Sequence, residues 1–214
     1  MLCRVGLVVA ALTWLGTDLA RAESPAAPVA VVCHERGTFT ERLAAKEIRR
    51  YVYLRTGKLL PVVGKLEAAP PGSVVLVTFP CKMRREYFGL VEHPDLKPLS
   101  EIRLLSDQYL LKTVEHKGRP LLVLSGGYPA GPLYAAYRLA EHLGVRFYMH
   151  GDVIPDERIA LRMPRLDETG KPLFRRRGIQ PFHDFPEGPD WWNADGYKAI
   201  LGQLPKMRMN FFGL

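Results

Sequence analysis

Cysteine is scarce in this chain, with three among 214 residues. None stands in the Cys/His spacing of a zinc site, and no His-Glu-x-x-His run occurs. The common sequence-encoded metal centres are therefore excluded. The Gly-Lys-Ser/Thr of a phosphate loop is missing, as is the glycine spacing of a dinucleotide fingerprint. No internal repeat or low-complexity tract is present. Long apolar runs are absent as well, with one exception at the N-terminus.

That exception reads as a secretory leader. Arg4 supplies a positive start, residues 5–16 are apolar, and Ala20-Arg21-Ala22 places small residues where a signal peptidase cuts. Cleavage is expected after Ala22, so 1–22 form no part of the fold. The run is short for a permanent bilayer span, which needs about 20 residues. An uncleaved membrane helix is the alternative. Cys3 precedes the apolar run and is badly placed for a lipid anchor. The expected address is secreted or periplasmic, with no membrane partner after cleavage.

Hydrophobic residues make up 47% of the chain, enough for a core, and charged residues 24%, ordinary for a soluble protein. The net charge is +8, and loss of Arg4, Arg21 and Asp18 with the leader lowers it by one. The cations are scattered apart from Lys82-Met83-Arg84-Arg85 and Arg175-Arg176-Arg177. Together with the secretory leader, this scatter argues against a nucleic-acid partner. After the leader, Cys33 and Cys81 remain, and either a disulfide or two separate buried thiols fits them.

The mature chain reads as alternating strands and helices. Residues 29–33 form an apolar strand. Thr38 and Glu41 fit a capping box opening an amphipathic helix with Leu43, Ala44, Ile48, Tyr51 and Val52 on its apolar side, stopped by Gly57. Strands are expected at 60–63, 73–79, 107–114 and 120–124, the last two joined by a turn at 115–118. Ser125-Gly126-Gly127-Tyr128-Pro129-Ala130-Gly131 leads into a second helix ending near Leu143 and Gly144. A tight turn that lets the helix pack on the sheet explains these glycines better than a phosphate cradle. Short strands at 145–148 and 159–163, a turn at 151–155 and a polar linker at 165–171 complete the unit. This order predicts an α+β layer with helices on one face of a small sheet. From Phe174 a second unit begins: a strand at 177–182, a loop with His183, Asp184, Trp191 and Trp192, a short helix, and a strand at 209–214.

The run Tyr134-Ala135-Ala136-Tyr137-Arg138-Leu139-Ala140-Glu141-His142-Leu143-Gly144-Val145-Arg146-Phe147-Tyr148, followed by Gly151-Asp152-Val153-Ile154-Pro155, resembles a signature of accessory domains in glycoside hydrolases. The resemblance is to the alpha-glucuronidases of family 67 and the beta-hexosaminidases of family 20. The helix from Ala44-Ala45-Lys46-Glu47-Ile48 to Gly57 and the Arg-Arg-Gly at 176–178 fit it too. It implies a hexosaminidase-domain-2-like unit at 29–165 and the start of a (β/α)8 catalytic barrel at 174–214. Such a barrel takes about 200 residues or more. The catalytic acids of these families lie on later strands, so the resemblance implies that this chain carries none of them and is inactive alone. It implies no cofactor and no metal.

The expected partner is a poly- or oligosaccharide. By the same resemblance, Arg177 matches an arginine that binds sugar hydroxyls, and its planar fork also suits a carboxylate. A structural salt bridge is the alternative role. His183 and Asp184 are candidates for binding a hydroxyl, and Trp192 for stacking on a sugar ring. The acids Asp184, Glu187 and Asp190 are not assigned catalysis. A non-catalytic carbohydrate-binding or structural domain is the competing reading.

Overall fold

The computed structural model describes residues 26–79, 94, 107–183 and 188–213. The leader, Cys81, the basic cluster at 82–85, Asp184 and Glu187 lie outside these residues.

A six-stranded sheet forms the centre, built from β1 (Pro28–Cys33), β2 (Val62–Val63), β3 (Ser73–Val77), β4 (Tyr109–His116), β5 (Arg119–Gly126) and β8 (Asp167–Gly170). Its order is β2-β1-β3-β5-β4-β8. Strands β2, β1, β3 and β5 run parallel, whereas β4 pairs antiparallel with both β5 and β8. Alternation along each strand divides the side chains between two apolar layers. Val31, Val75, Val77, Leu111, Leu122 and Leu124 face one layer, and Ala30, Val32, Val74, Leu76, Leu121 and Val123 the other. Strands buried on both faces read as the continuous apolar runs seen in the sequence.

Two helices cover the first layer, α1 (Phe39–Thr56) and α2 (Gly131–His142). At the start of α1 the Thr38 N–H donates to Glu41 Oε2 at 2.7 Å, while Thr38 Oγ1 accepts from the Glu41 N–H at 3.2 Å. Glu41 is 1% exposed. Its other carboxylate oxygen accepts the Phe79 N–H at 3.2 Å, tying the cap to the end of β3. Gly57 ends the helix at φ +71°, a left-handed turn that glycine adopts without strain. Tyr51 of α1, Tyr137 of α2 and Phe147 then meet edge to face, with ring centres 5.4–6.4 Å apart. Each favourable aromatic pair adds about 0.5–1.5 kcal/mol beyond its buried area.

The glycine-rich connection is a packing device. A Cβ on Gly126 would stand 2.4 Å from the Gly131 backbone, and one on Gly131 would stand 2.5 Å from Gly126. Only bare backbone lets α2 leave β5 this closely.

Three local expectations differ from the structure. Residues 159–163 form no strand: the Ile159 N–H is taken by the Arg55 carbonyl at 2.8 Å, while Met163 plugs the core and Leu161 packs against it. The edge strand is β8, inside the polar 165–171 segment. It has no apolar alternation. The β4 ladder and the Lys112–Asp167 ion pair at 2.8 Å hold it. Finally, the 151–155 turn contains β7 (Gly151–Val153), which pairs with β6 (Arg146–Tyr148) as a separate hairpin.

Candidate functional site

Beyond β8 the chain forms a second unit: β9 (Gly178–Ile179), α3 (Ala194–Gln203) and β10 (Phe211–Phe212). The two strands pair in parallel, with the helix in the connection between them. Asn193 caps α3, its side-chain oxygen accepting the N–H groups of Asp195 and Gly196. Gly178 has no room for a side chain, since a Cβ there would overlap the Phe211 carbonyl oxygen at 1.7 Å.

The predicted site residues fall at two ends of β9. Arg177 immediately precedes the strand. Its guanidinium donates to Asp107 Oδ2 at 3.1 Å, to the Phe174 carbonyl at 2.8 Å and to the Arg208 carbonyl at 2.8 Å. All three nitrogens are therefore engaged by protein acceptors. His183 lies beyond the other end, its Nδ1 3.1 Å from an Asp190 carboxylate oxygen. Both side chains are well exposed. Trp192 packs edge to face on Tyr197 at 5.4 Å and against Phe212 at 6.2 Å. Trp191, its neighbour, is 72% exposed. Adjacent tryptophans thus take different roles, one packing on its own unit and one facing outward. The structure does not bring Arg177 together with His183 and Trp192.

Three carboxylates of the first unit escaped notice in the sequence. Each meets the second unit. Asp107 receives both Arg177 and the Asn210 side-chain amide, the latter at 2.5 Å. Asp107 is 7% exposed and adopts φ +77°, a conformation tolerated mainly by Gly, Asn and Asp. Glu141 of α2 pairs with Arg208. Asp152 of β7 receives Lys206 Nζ at 2.7 Å and the Tyr51 hydroxyl at 2.7 Å. The Tyr134 hydroxyl adds a bond to the Met209 carbonyl at 3.2 Å. Burial alone would raise the Asp152 carboxyl, but the hydrogen bonds from Lys206 and Tyr51 hold it below its ordinary value. Burial pushes the Tyr134 phenol up to about 12, with Asp107 adding to the shift. Burial, followed by the hydrogen bond to Asp152, pushes the Tyr51 phenol up as well.

Where the two units meet, a cleft of about 410 Å³ opens between Asp107, Gln108, Lys171, Pro172, Phe174, Arg175 and Arg177. Among the described residues no group of three His, Cys, Asp or Glu side chains could hold a metal ion, and no helix is long and apolar enough to cross a membrane.

No protein-family model and no curated protein matches the chain. Among solved structures, the chain is similar to a family GH115 4-O-methyl-alpha-glucuronidase with specificity for decorated arabinogalactans. The TM-score is 0.61 at 16% identity, over 89% of this chain and 25% of that one. The chain thus spans a quarter of the length of this neighbour and shares its fold over that part, a mixed α/β arrangement of a sheet with few helices.

Proposed function

We propose that the chain is the N-terminal part of a secreted glycoside hydrolase that acts in polysaccharide breakdown. In this reading 29–165 is an accessory domain of the type found in family 67 alpha-glucuronidases and family 20 beta-hexosaminidases. The β9–α3–β10 unit then opens a (β/α)8 barrel. One observation carries the reading: the sheet domain and the parallel strand–helix–strand unit together superpose on a glucuronidase over 89% of the chain.

Barrel enzymes work at the C-terminal ends of their strands. His183 and Trp192 follow β9, and in this reading they, together with Asp184, are substrate-binding residues. Arg177, at the opposite end of the strand with all three guanidinium nitrogens taken by protein acceptors, fills the structural salt-bridge role instead. Glycoside hydrolysis needs two carboxyl groups flanking the scissile bond. By the resemblance to families 67 and 20, the acids belong to later strands and this chain alone is inactive.

The test is to express the 214-residue chain beside a product extended through the downstream reading frame, and to assay both on aryl glycosides and glucuronate-bearing polysaccharide. Turnover by the extended protein alone is the expected result. Turnover by the 214-residue chain that disappears in Asp184→Ala would place the chemistry here instead. Sugar binding without turnover by the extended protein would favour a non-catalytic module.

A further inference from the structure

The cleft between the two units has a charge imbalance that the fold does not correct. Lys171, Arg175 and Arg177 line it against a single carboxylate, Asp107. Asp107 is already engaged by Arg177 and Asn210. The side chains of Lys171 and Arg175 take part in no hydrogen bond or ion pair among the described residues, and both residues are exposed. Two cations therefore border one concavity with no counter-charge of their own among the described residues. Phe174 lies beside them, 71% exposed. An aromatic face next to unpaired cations suits a ligand that has both an apolar ring face and an acidic substituent.

The wall behind this patch is held in place. The Gln108 carbonyl accepts the Gly127 N–H at 2.8 Å, and Arg177 is fixed by three acceptors. A ligand would meet a wall already in place and would order only Lys171, Phe174 and Arg175 in front of it. That keeps the entropic cost of binding low.

We propose that this cleft binds an anionic sugar, its acid group held by Lys171 and Arg175 and its ring laid against Phe174. The surface lies on the Arg177 side of β9, apart from His183 and Trp192. It is a saccharide site distinct from the one proposed at the other end of the strand. The acid group is a carboxylate or a sulfate ester, since both present oxygens to the same two cations.

Calorimetric titration of the 214-residue chain with glucuronate, glucose 6-sulfate, glucose and inorganic sulfate tests this directly, and requires no hydrolytic activity. One or both anionic sugars should bind, and glucose should bind at least about tenfold more weakly, the scale of losing one charge-assisted contact. Which of the two binds more tightly identifies the acid group. Lys171→Ala/Arg175→Ala should weaken that binding about tenfold or more, whereas Lys46→Ala/Lys58→Ala, equal in charge and remote in sequence, should leave it unchanged. Phe174→Ala should weaken the sugar and spare inorganic sulfate. Thermal melts of each variant matching the parent confirm that folding is intact. The proposal is overturned if no anionic sugar binds, if the two double variants behave alike, or if Phe174→Ala leaves sugar binding untouched.

Discussion

Helix α2 has two contrasting neighbours. Toward the sheet it presents Leu133, Ala136, Tyr137 and Ala140 to an apolar layer that excludes water. Toward the β9–α3–β10 unit the same helix and its surroundings present Tyr134, Glu141 and Asp152, matched by Met209, Arg208 and Lys206. The first contact is non-directional and scales with buried area. The second depends on individual charges meeting individual partners. Replacing a buried pair by well-packed apolar groups is often neutral, but removing one partner is costly because the other charge is left unpaired. The sheet domain is therefore expected to tolerate conditions that loosen its junction with the second unit.

The largest effect should come from the apolar contact. Leu124 is 0% exposed, at the centre of β5 beneath the helices. Leu124→Ala should cost about 2–5 kcal/mol, the range for a leucine truncated in a close-packed core. Urea denaturation followed by circular dichroism should show the whole sheet domain unfolding earlier. A loss below about 1 kcal/mol would mean that this layer is loosely packed.

The next effect should be confined to the junction. Lys206→Met keeps the aliphatic stem and removes the charge from Asp152, whose side chain is 8% exposed. A loss of about 1.5–3 kcal/mol is expected for a hydrogen bond to a charged group. Limited proteolysis should reveal new cuts within 174–213 while hydrogen exchange in β1, β3 and β5 stays slow. Equal loosening of both regions would erase the contrast between the two contacts.

Acid should have a similar selectivity. The Asp152 carboxyl lies below its ordinary value in the folded chain, so the stability it contributes is present above the unfolded carboxyl pKa. That contribution is lost as pH falls through the folded value. Glu168 has the same sign, since burial would raise it but Arg138 and His142 hold it down; it joins β8 to α2 inside the sheet domain, so its loss loosens that edge and not the junction. Junction protection should therefore fall from about pH 4 downward, and Asp152→Asn should flatten the fall. Proteolysis of 174–213 across that range checks it; an unchanged profile in Asp152→Asn would assign the acid response to other groups.

How much of this was legible in the sequence follows the same division. The apolar periodicity of Ile48, Tyr51 and Val52, the runs at 73–77 and 120–124, and the glycines at 57 and 126–131 located helices, strands and turns because those signals are local. Strand β8 was hidden because it is polar, and its partner Lys112 lies 55 residues away. Asp107, Glu141 and Asp152 carried no local sign of their pairing with the second unit, since those partners lie 54 to 103 residues away. Arg177 was visible as a fork awaiting an anion, but the sequence could not reveal that Asp107 would stand opposite it.

The smallest expected effect tests the apolar side at its edge. Thr38→Ala removes the hydroxyl that accepts the Glu41 N–H and should cost about 1 kcal/mol, typical for an N-cap. Here the cap is linked to the sheet, because Glu41 also accepts the Phe79 N–H across the top of β3. If the two bonds are independent, Thr38→Ala and Glu41→Gln should destabilise additively. If Thr38 orients the Glu41 carboxylate for Phe79, the double variant should lose less than the sum of the single losses. A double-mutant cycle in urea separates these outcomes, with the orienting role expected because the Thr38 hydroxyl donates to one oxygen of Glu41 at 3.0 Å while the Phe79 N–H takes the other. Strict additivity would reduce the cap to a local feature of α1 and leave the end of β3 held by its ladder alone.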